Sequence, residues 1–331
     1  MAEPQREQSA DRAVEAAEAE IQQLVDGLNS LLEGRLSAEL LVGCGAQAIP
    51  PLRRFLLHGR PSGLYQPRRW AVQALAQLGA RQVLIEYLLA ERTIADPIPR
   101  QGEGAVENEA ARALSRWQDE ETLQTLLKVA QSRALPGVIE ALAAFRRPEV
   151  VPHLVAALED DFSRPTAEEA LRQRPEEARP ALLQAAFARR TVAGAETPSG
   201  LRARRSALRL LAEIGVPSGD WPRLRRLLDE SDPEIAVLAC RLALQTAGGG
   251  ERELAVRRLL HELDRLDWFL QDEARECLEQ HFDAAQFFVE AEIARLRSLP
   301  DSDVKSNAVL PTLLALRKRA TGRQQMGPPP G

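Results

Sequence analysis

The chain has 331 residues, 44% of them apolar but only 4% aromatic, and a formal net charge of −5. A core with so few rings must be mostly Leu and Ala packed closely, which suits helix on helix and disfavours β-rich folds. The acidic balance gives no global field to draw the protein onto nucleic acid or an anionic membrane, and no run of apolar residues is long enough to span a bilayer.

Residues 1–10 are polar and are expected to be flexible, with no apolar segment behind a basic start that would mark a signal peptide. From Val14, the residues Ala17, Ile21, Leu24, Leu28 and Leu31 follow in alternating steps of three and four, which gives one apolar seam on an amphipathic helix. That seam is shorter than the roughly three to four heptads of a coiled coil. Residues 11–35 therefore read as a capping helix over the open end of a stack rather than a dimerisation arm.

Residues 36–300 carry a recurring Ala-Leu pair inside short apolar segments. It stands at Ala74-Leu75, Ala113-Leu114, Ala141-Leu142, Ala170-Leu171 and Ala207-Leu208, with degenerate copies at Leu242-Ala243 and Cys277-Leu278. Successive pairs lie 28 to 39 residues apart, a period that marks repeated units burying their apolar faces against one another. Each unit reads as two helices joined by a tight turn. Between Leu40 and Leu57, Gly43 is the expected left-handed C-cap of the first helix. The second is expected to begin near Ala46, with Pro50 and Pro51 in its first turn, where amides lack intrahelical partners. Leu78-Gly79-Ala80 and Ile214-Gly215-Val216 repeat the turn, Pro152 again sits early in a helix, and Asp232-Pro233-Glu234 is a helix start with an Asp N-cap. Two Pro/Gly-rich stretches, 92–104 and 191–200, lengthen the period and read as loops between units. Residues 301–320 read as a C-terminal capping helix and 321–331 as a disordered Gly/Pro-rich tail.

The DPE helix start, the Ala-Leu pair, the glycine turn and a following Ala-(Ile/Val)-Pro-x-Leu resemble HEAT repeats, most closely the bacterial HEAT-like class named after the phycobilisome lyases. The resemblance covers roughly residues 36–300. It implies an all-α HEAT-like superhelix, a solenoid of about seven to eight helical hairpins with a capping helix at its N-terminus.

Catalytic and metal chemistry find little support in the residues. Gly43-Cys44-Gly45 lacks the strand and the Gly-Lys-Ser/Thr of a phosphate loop. Cys277 and His281 stand one helical turn apart with Glu273 a turn earlier, but a zinc site needs more convergent ligands. Di-iron hydroxylases built on HEAT repeats use several His-Glu pairs; this chain has His261-Glu262 alone. The three cysteines, Cys44, Cys240 and Cys277, read as reduced thiols of a cytoplasmic protein, and no cofactor or metal is expected.

Two features point to a binding surface. Arginine doublets fall in second helices at Arg53-Arg54, Arg225-Arg226 and Arg257-Arg258, where aligned guanidinium groups would form a ladder for an acidic or phosphorylated peptide. Near the C-terminus, Trp268, Phe269, Phe282, Phe287 and Phe288 concentrate the aromatics, and Trp268, Phe287 and Phe288 are candidate partner anchors. The expected function is a non-catalytic protein–protein interaction scaffold in a bacterial cytoplasm. The alternatives are an enzyme or accessory of the HEAT-like lyase class acting on a cofactor-linked protein, and, against the net charge, a nucleic-acid-binding HEAT-like protein.

Overall fold

In a computed structural model describing residues 3–133, 135–299 and 309–326, the leucine of every Ala-Leu pair is sealed from solvent. Leu75, Leu114, Leu142, Leu171, Leu208, Leu242 and Leu278 are all 0% exposed. Burying one such side chain contributes about 1.5–3 kcal/mol, so the recurring pair marks the seam along which consecutive helices meet.

The chain divides into two compact units, Met1–Ala170 and Leu171–Gly331. In the first, α1 (Glu3–Gly27) packs on α2 (Gly34–Gly43) and α3 (Ile49–His58). Helices α4 (Gln66–Gln77), α5 (Arg81–Leu89), α6 (Pro97–Leu114), α7 (Glu120–Ser132), α8 (Pro136–Ala143) and α9 (Val151–Ala156) continue the chain. The even-numbered helices α2, α4, α6 and α8 pack side by side as one layer, and α3, α5 and α7 as the other. Helix α10 (Arg164–Arg172) spans the boundary. In the second unit, α11 (Pro175–Ala185) packs on α12 (Pro198–Ile214), which packs on α14 (Pro233–Thr246). The short α13 (Trp221–Leu224) continues as a 3-10 turn over Arg225–Asp229 that rests on α14. Helices α15 (Gly249–Glu262), α16 (Trp268–Gln280) and α17 (Phe282–Arg297) follow, and α18 (Val309–Met326) packs on α16 and α17. Each unit is thus a two-layer array of helical hairpins, the construction of an α solenoid.

Local chemistry explains where the helices start and stop. Asp96, Asp119, Thr197, Asp232 and Asp267 each accept a hydrogen bond from an amide two or three residues ahead, at 2.9–3.1 Å. Such caps contribute about 1 kcal/mol each. Gly79 and Gly215 close their helices in the left-handed region, at φ 72° and 81°, and the amide of Ala80 reaches back to the carbonyl of Leu75 at 2.9 Å, as a Schellman ending requires.

Several sequence expectations are corrected. Residues 3–10 are helical rather than flexible, and α1 ends at Gly27 rather than reaching 35. Its described buried positions are Ile21 and Val25, with Leu28 just beyond; Leu31 lies in the turn and is 59% exposed. The left-handed glycine of the first turn is Gly45, at φ 68°, not Gly43, and a 3-10 turn over Gly45–Ala48 precedes α3. The stretch 92–104 is not one loop: α6 begins at Pro97, because Asp96 caps it and Pro97 stands in its first turn. Gly102 is a packing device, since a Cβ there would sit 2.1 Å from the backbone oxygen of Ser62. The stretch 191–200 forms a two-residue antiparallel hairpin, β1 (Thr191–Val192) with β2 (Ala195–Glu196), turning through Ala193 and Gly194, before α12 starts at Pro198. The C-terminal helix covers 309–326, so the expected tail is helical as far as Met326; residues 301–308 and 327–331 lie outside the described residues.

Two glycines of the same helix should respond oppositely. Gly102→Ala should destabilise the protein by about 1–3 kcal/mol by forcing the α6 backbone away from Ser62. A Cβ on Gly104 meets nothing within 4 Å, so Gly104→Ala should be neutral or stabilise by up to about 1 kcal/mol. Urea denaturation midpoints compared among wild type and the two variants check both signs.

Candidate partner-binding surface

Two of the three arginine doublets lie on helices, Arg53-Arg54 on α3 in the first unit and Arg257-Arg258 on α15 in the second, while Arg225-Arg226 lie on the 3-10 turn after α13 rather than in a second helix. Each doublet divides in the same way. One member is held by a carboxylate: Arg53 Nε donates to Glu86 Oε2 at 2.8 Å, Arg225 Nε to Glu251 Oε1 at 2.8 Å, and Arg258 lies 3.4 Å from Glu262. The other member, Arg54, Arg226 or Arg257, has no carboxylate partner among the described residues. Two of these open arginines lie on rings, Arg226 at 4.1 Å from the centroid of Phe187 and Arg257 at 4.8 Å from that of Phe288. A ring face attracts the cation without neutralising it and holds the planar guanidinium in one orientation.

Arg53 and Arg225 belong to a wider system of ties between neighbouring segments, whereas Arg258 pairs within its own helix. In the first unit Arg69 joins α4 to Glu109 of α6 at 3.0 Å, and Arg112 joins α6 to Glu140 of α8 at 2.9 Å. In the second, Arg205 reaches Glu234 at 3.0 Å, Arg209 reaches Glu234 at 2.9 Å and Glu273 at 3.5 Å, and Arg252 reaches Asp283 at 3.4 Å. An arginine count taken from the sequence therefore overstates the charge offered to a partner.

The C-terminal aromatics do not form one patch. Trp268 and Phe269 meet edge to face on α16, where Phe269 lies under Arg209 of α12. Phe287 and Phe288 meet edge to face on α17. Phe282 is buried, Trp268 and Phe287 are 80% and 75% exposed, and Phe288 is half-buried beneath Arg257. Around Phe288 the structure opens a cleft of about 550 Å³, lined by Arg257, His261 and Arg265 on one side and by Glu292, Arg295 and Leu296 on the other, with Val309 at its edge. Arg295 is held by Glu292 at 2.6 Å, and His261 shares Glu262 at 3.2 Å. Arg257 and Arg265 have no carboxylate partner among the described residues. Sequence reasoning missed Phe187, His261, Arg265 and Arg295. The four-residue spacing of Arg257 and His261 carried the signal for one face of α15, with Arg265 in the turn just beyond it; nothing in the sequence linked Phe187 to Arg226. In the first unit Arg54 lines a second cleft, of about 710 Å³, against Ala17, Glu18, Ile21 and Gln22 of α1.

Buried polar clusters are consumed by the fold itself. Arg68 pairs with Glu103 and donates to the carbonyl of Leu56 at 2.7 Å, while Tyr87 donates to Glu103 at 2.7 Å. Arg204, 1% exposed, donates to Glu196, to Glu230 at 2.7 Å and to the carbonyl of Ala186 at 3.0 Å. Both arginines satisfy carbonyls at the ends of helices, where cations complement the helix dipole. Burial pushes the Tyr87 hydroxyl well above its ordinary range, with the Glu103 charge adding to the effect. Among the described residues no group of His, Cys, Asp and Glu side chains could hold a metal ion, and no helix is long and apolar enough to cross a membrane.

Residues 99–173, from within α6 to the end of α10, match the family model for HEAT repeats. Among solved structures, the chain is similar to the crystal structure of an engineered protein from the Northeast Structural Genomics Consortium. That likeness has 16% identity, covers 91% of this chain and 98% of that one, and has a TM-score of 0.35, a superposition too loose to carry an inference. No curated protein compared with the chain matches it.

The cysteines give a direct test of the packing around this surface. Cys240 and Cys277 are buried and Cys44 is half-exposed. Burial pushes the Cys277 thiol up to about 12 and the Cys240 thiol further still, and the thiolate is the reactive form. At pH 8 the native protein should consume about one equivalent of a thiol reagent, at Cys44, and three after denaturation. Mass spectrometry of the labelled peptides checks the assignment.

Proposed function

We propose that the chain is a protein-binding scaffold whose second-layer surface in the C-terminal unit receives a peptide bearing carboxylate or phosphate groups. HEAT repeats are a common framework for binding other proteins, and stacked hairpins present an extended surface for that purpose. The observation that carries the reading is the division of the arginine doublets: one guanidinium is held by a carboxylate while its neighbour is left without one among the described residues, and in the C-terminal unit that open neighbour, Arg226 or Arg257, lies on an aromatic ring. An open, pre-oriented guanidinium donates two parallel hydrogen bonds to a carboxylate or phosphate and loses little freedom in doing so. In the cleft beside Phe288, Arg257 and Arg265 supply positive charge that no carboxylate among the described residues pairs, alongside Asp264 and the Glu292–Arg295 pair, and Phe288, Leu260 and Leu296 supply apolar walls. The occupant that fits is an acidic side chain or phosphoryl group next to an apolar residue.

The division also supports a protein rather than a nucleic acid as partner. Duplex binding needs a row of cations along a charged backbone, whereas most arginines here are neutralised by adjacent carboxylates and the chain as a whole is acidic. The reading is tested on an array of immobilised peptides carrying Glu or phosphoserine beside Leu or Phe. Arg257→Ala should weaken the bound subset about 10-fold or more, as loss of a charged anchor does. Arg225→Ala, which removes a tie to Glu251, should change binding less than about 2-fold. Equal effects from the two variants, or binding that ignores the acidic group, would sink the reading.

A further inference from the structure

Helix α2, the first of its layer, differs from α4 and α6 in what it shows to solvent. On α4 the solvent-facing row is Arg69, Gln73 and Gln77, and on α6 it includes Glu109 and Arg112, with Arg116 just beyond the helix end. Several of these are tied to the next helix by the ion pairs described above. On α2 the corresponding face is leucine: Leu32, just before the helix, is 95% exposed, Leu36 57% and Leu40 49%. Spaced four residues apart, they form a single ridge inclined to the axis. The buried residues of α2, Gly34, Ser37, Ala38 and Leu41, all lie on the opposite side, where α1 and α4 pack. The capping helix therefore leaves this ridge uncovered.

Charge identifies what covers it. Beside the ridge, Arg35 and Glu39 form an exposed ion pair with each other at 3.1 Å, so the flank carries one positive and one negative group. A surface of that kind is complementary to itself when turned about a two-fold axis. We propose that α2 is the dimerisation surface of this protein and that its occupant is α2 of a second copy, antiparallel, about an axis at the height of Ser37.

That single register satisfies two independent requirements. With a rise of about 1.5 Å per residue, it places the leucines of the second copy midway between Leu32, Leu36 and Leu40, so that the two ridges interdigitate rather than collide. It also sets Arg35 of each copy level with Glu39 of the other on the same flank, giving two intermolecular ion pairs at the rim of a leucine core. Shifting the copies by one turn would lose the charge match, and a parallel arrangement would carry the two charged flanks to opposite sides of the interface, where they cannot pair. The polar rim thereby sets the register and the leucines drive association, the usual division of labour in a specific interface.

The full-length chain tests this by sedimentation velocity and equilibrium. Wild type should sediment with twice the 36.5 kDa monomer mass. Leu36→Arg should leave the circular dichroism spectrum unchanged, and the melting temperature too at protein concentrations low enough for wild type to be monomeric, because the side chain is exposed in the monomer. It should weaken association by at least about 30-fold. Arg35→Glu should weaken it by about 10-fold, since it sets two pairs of like charges together. The exchanged variant Arg35→Glu/Glu39→Arg should restore association to within about 3-fold of wild type. A wild-type chain that stays monomeric up to high micromolar concentration overturns the proposal. So does a dimer unaffected by Leu36→Arg, or an exchange variant no tighter than Arg35→Glu alone.

Discussion

Everything in this protein depends on the inability of one helical hairpin to bury its own apolar face. Two helices of ten or so residues enclose too little volume to seal a leucine, so Leu75 or Leu208 is fully buried only because the next hairpin lies against it. This requirement for close approach explains the alanines that precede the leucines, and the glycines at helix crossings. A Cβ on Gly34 would meet the ring of Trp70 at 2.2 Å, and one on Gly137 would meet the carbonyl of Asn108 at 2.3 Å. Small residues let the backbones approach, and large ones fill the space between.

Neighbouring helices held so close bring their charged flanks into register, and the arginines follow from that. A guanidinium on one helix reaches a carboxylate on the next, as Arg69 reaches Glu109 and Arg205 reaches Asp232 and Glu234. Such exposed pairs add little stability one by one. Their structural consequence is to fix the lateral register of adjacent helices and to remove positive charge from the surface. What remains positive is then informative. Arg226 and Arg257 are held by rings instead of acids, an arrangement that keeps the charge available and the side chain ordered.

The long connections follow the same logic. Pro97–Leu114 begins a full turn earlier than its glycines suggest, because Gly102 lets α6 pass against Ser62 and Glu103 is carried inward to meet Arg68. The hairpin at Thr191–Glu196 delivers Glu196 to Arg204. Segments rich in Pro and Gly here position buried ion pairs as well as connecting helices. Burial makes each of these pairs dependent on its partner, since a lone buried charge is costly.

The sequence by itself determined the fold class, the seam and a few helix ends. Periodic Ala-Leu pairs, Asp-Pro starts and the glycine turns at Gly79 and Gly215 act through contacts a few residues long, and those are written locally. It also picked out the arginine doublets and the concentration of aromatics near the C-terminus as features to locate in the structure. Only tertiary structure decided which arginine of each doublet is open, because the deciding carboxylate or ring comes from another hairpin: Glu86 lies 33 residues from Arg53, and Glu251 lies 26 from Arg225. The same distance hid the leucine ridge. In the sequence Leu36 and Leu40 look like any buried leucines of a repeat, and only the packing of α1 and α4 on the opposite face of α2 shows that they point to solvent.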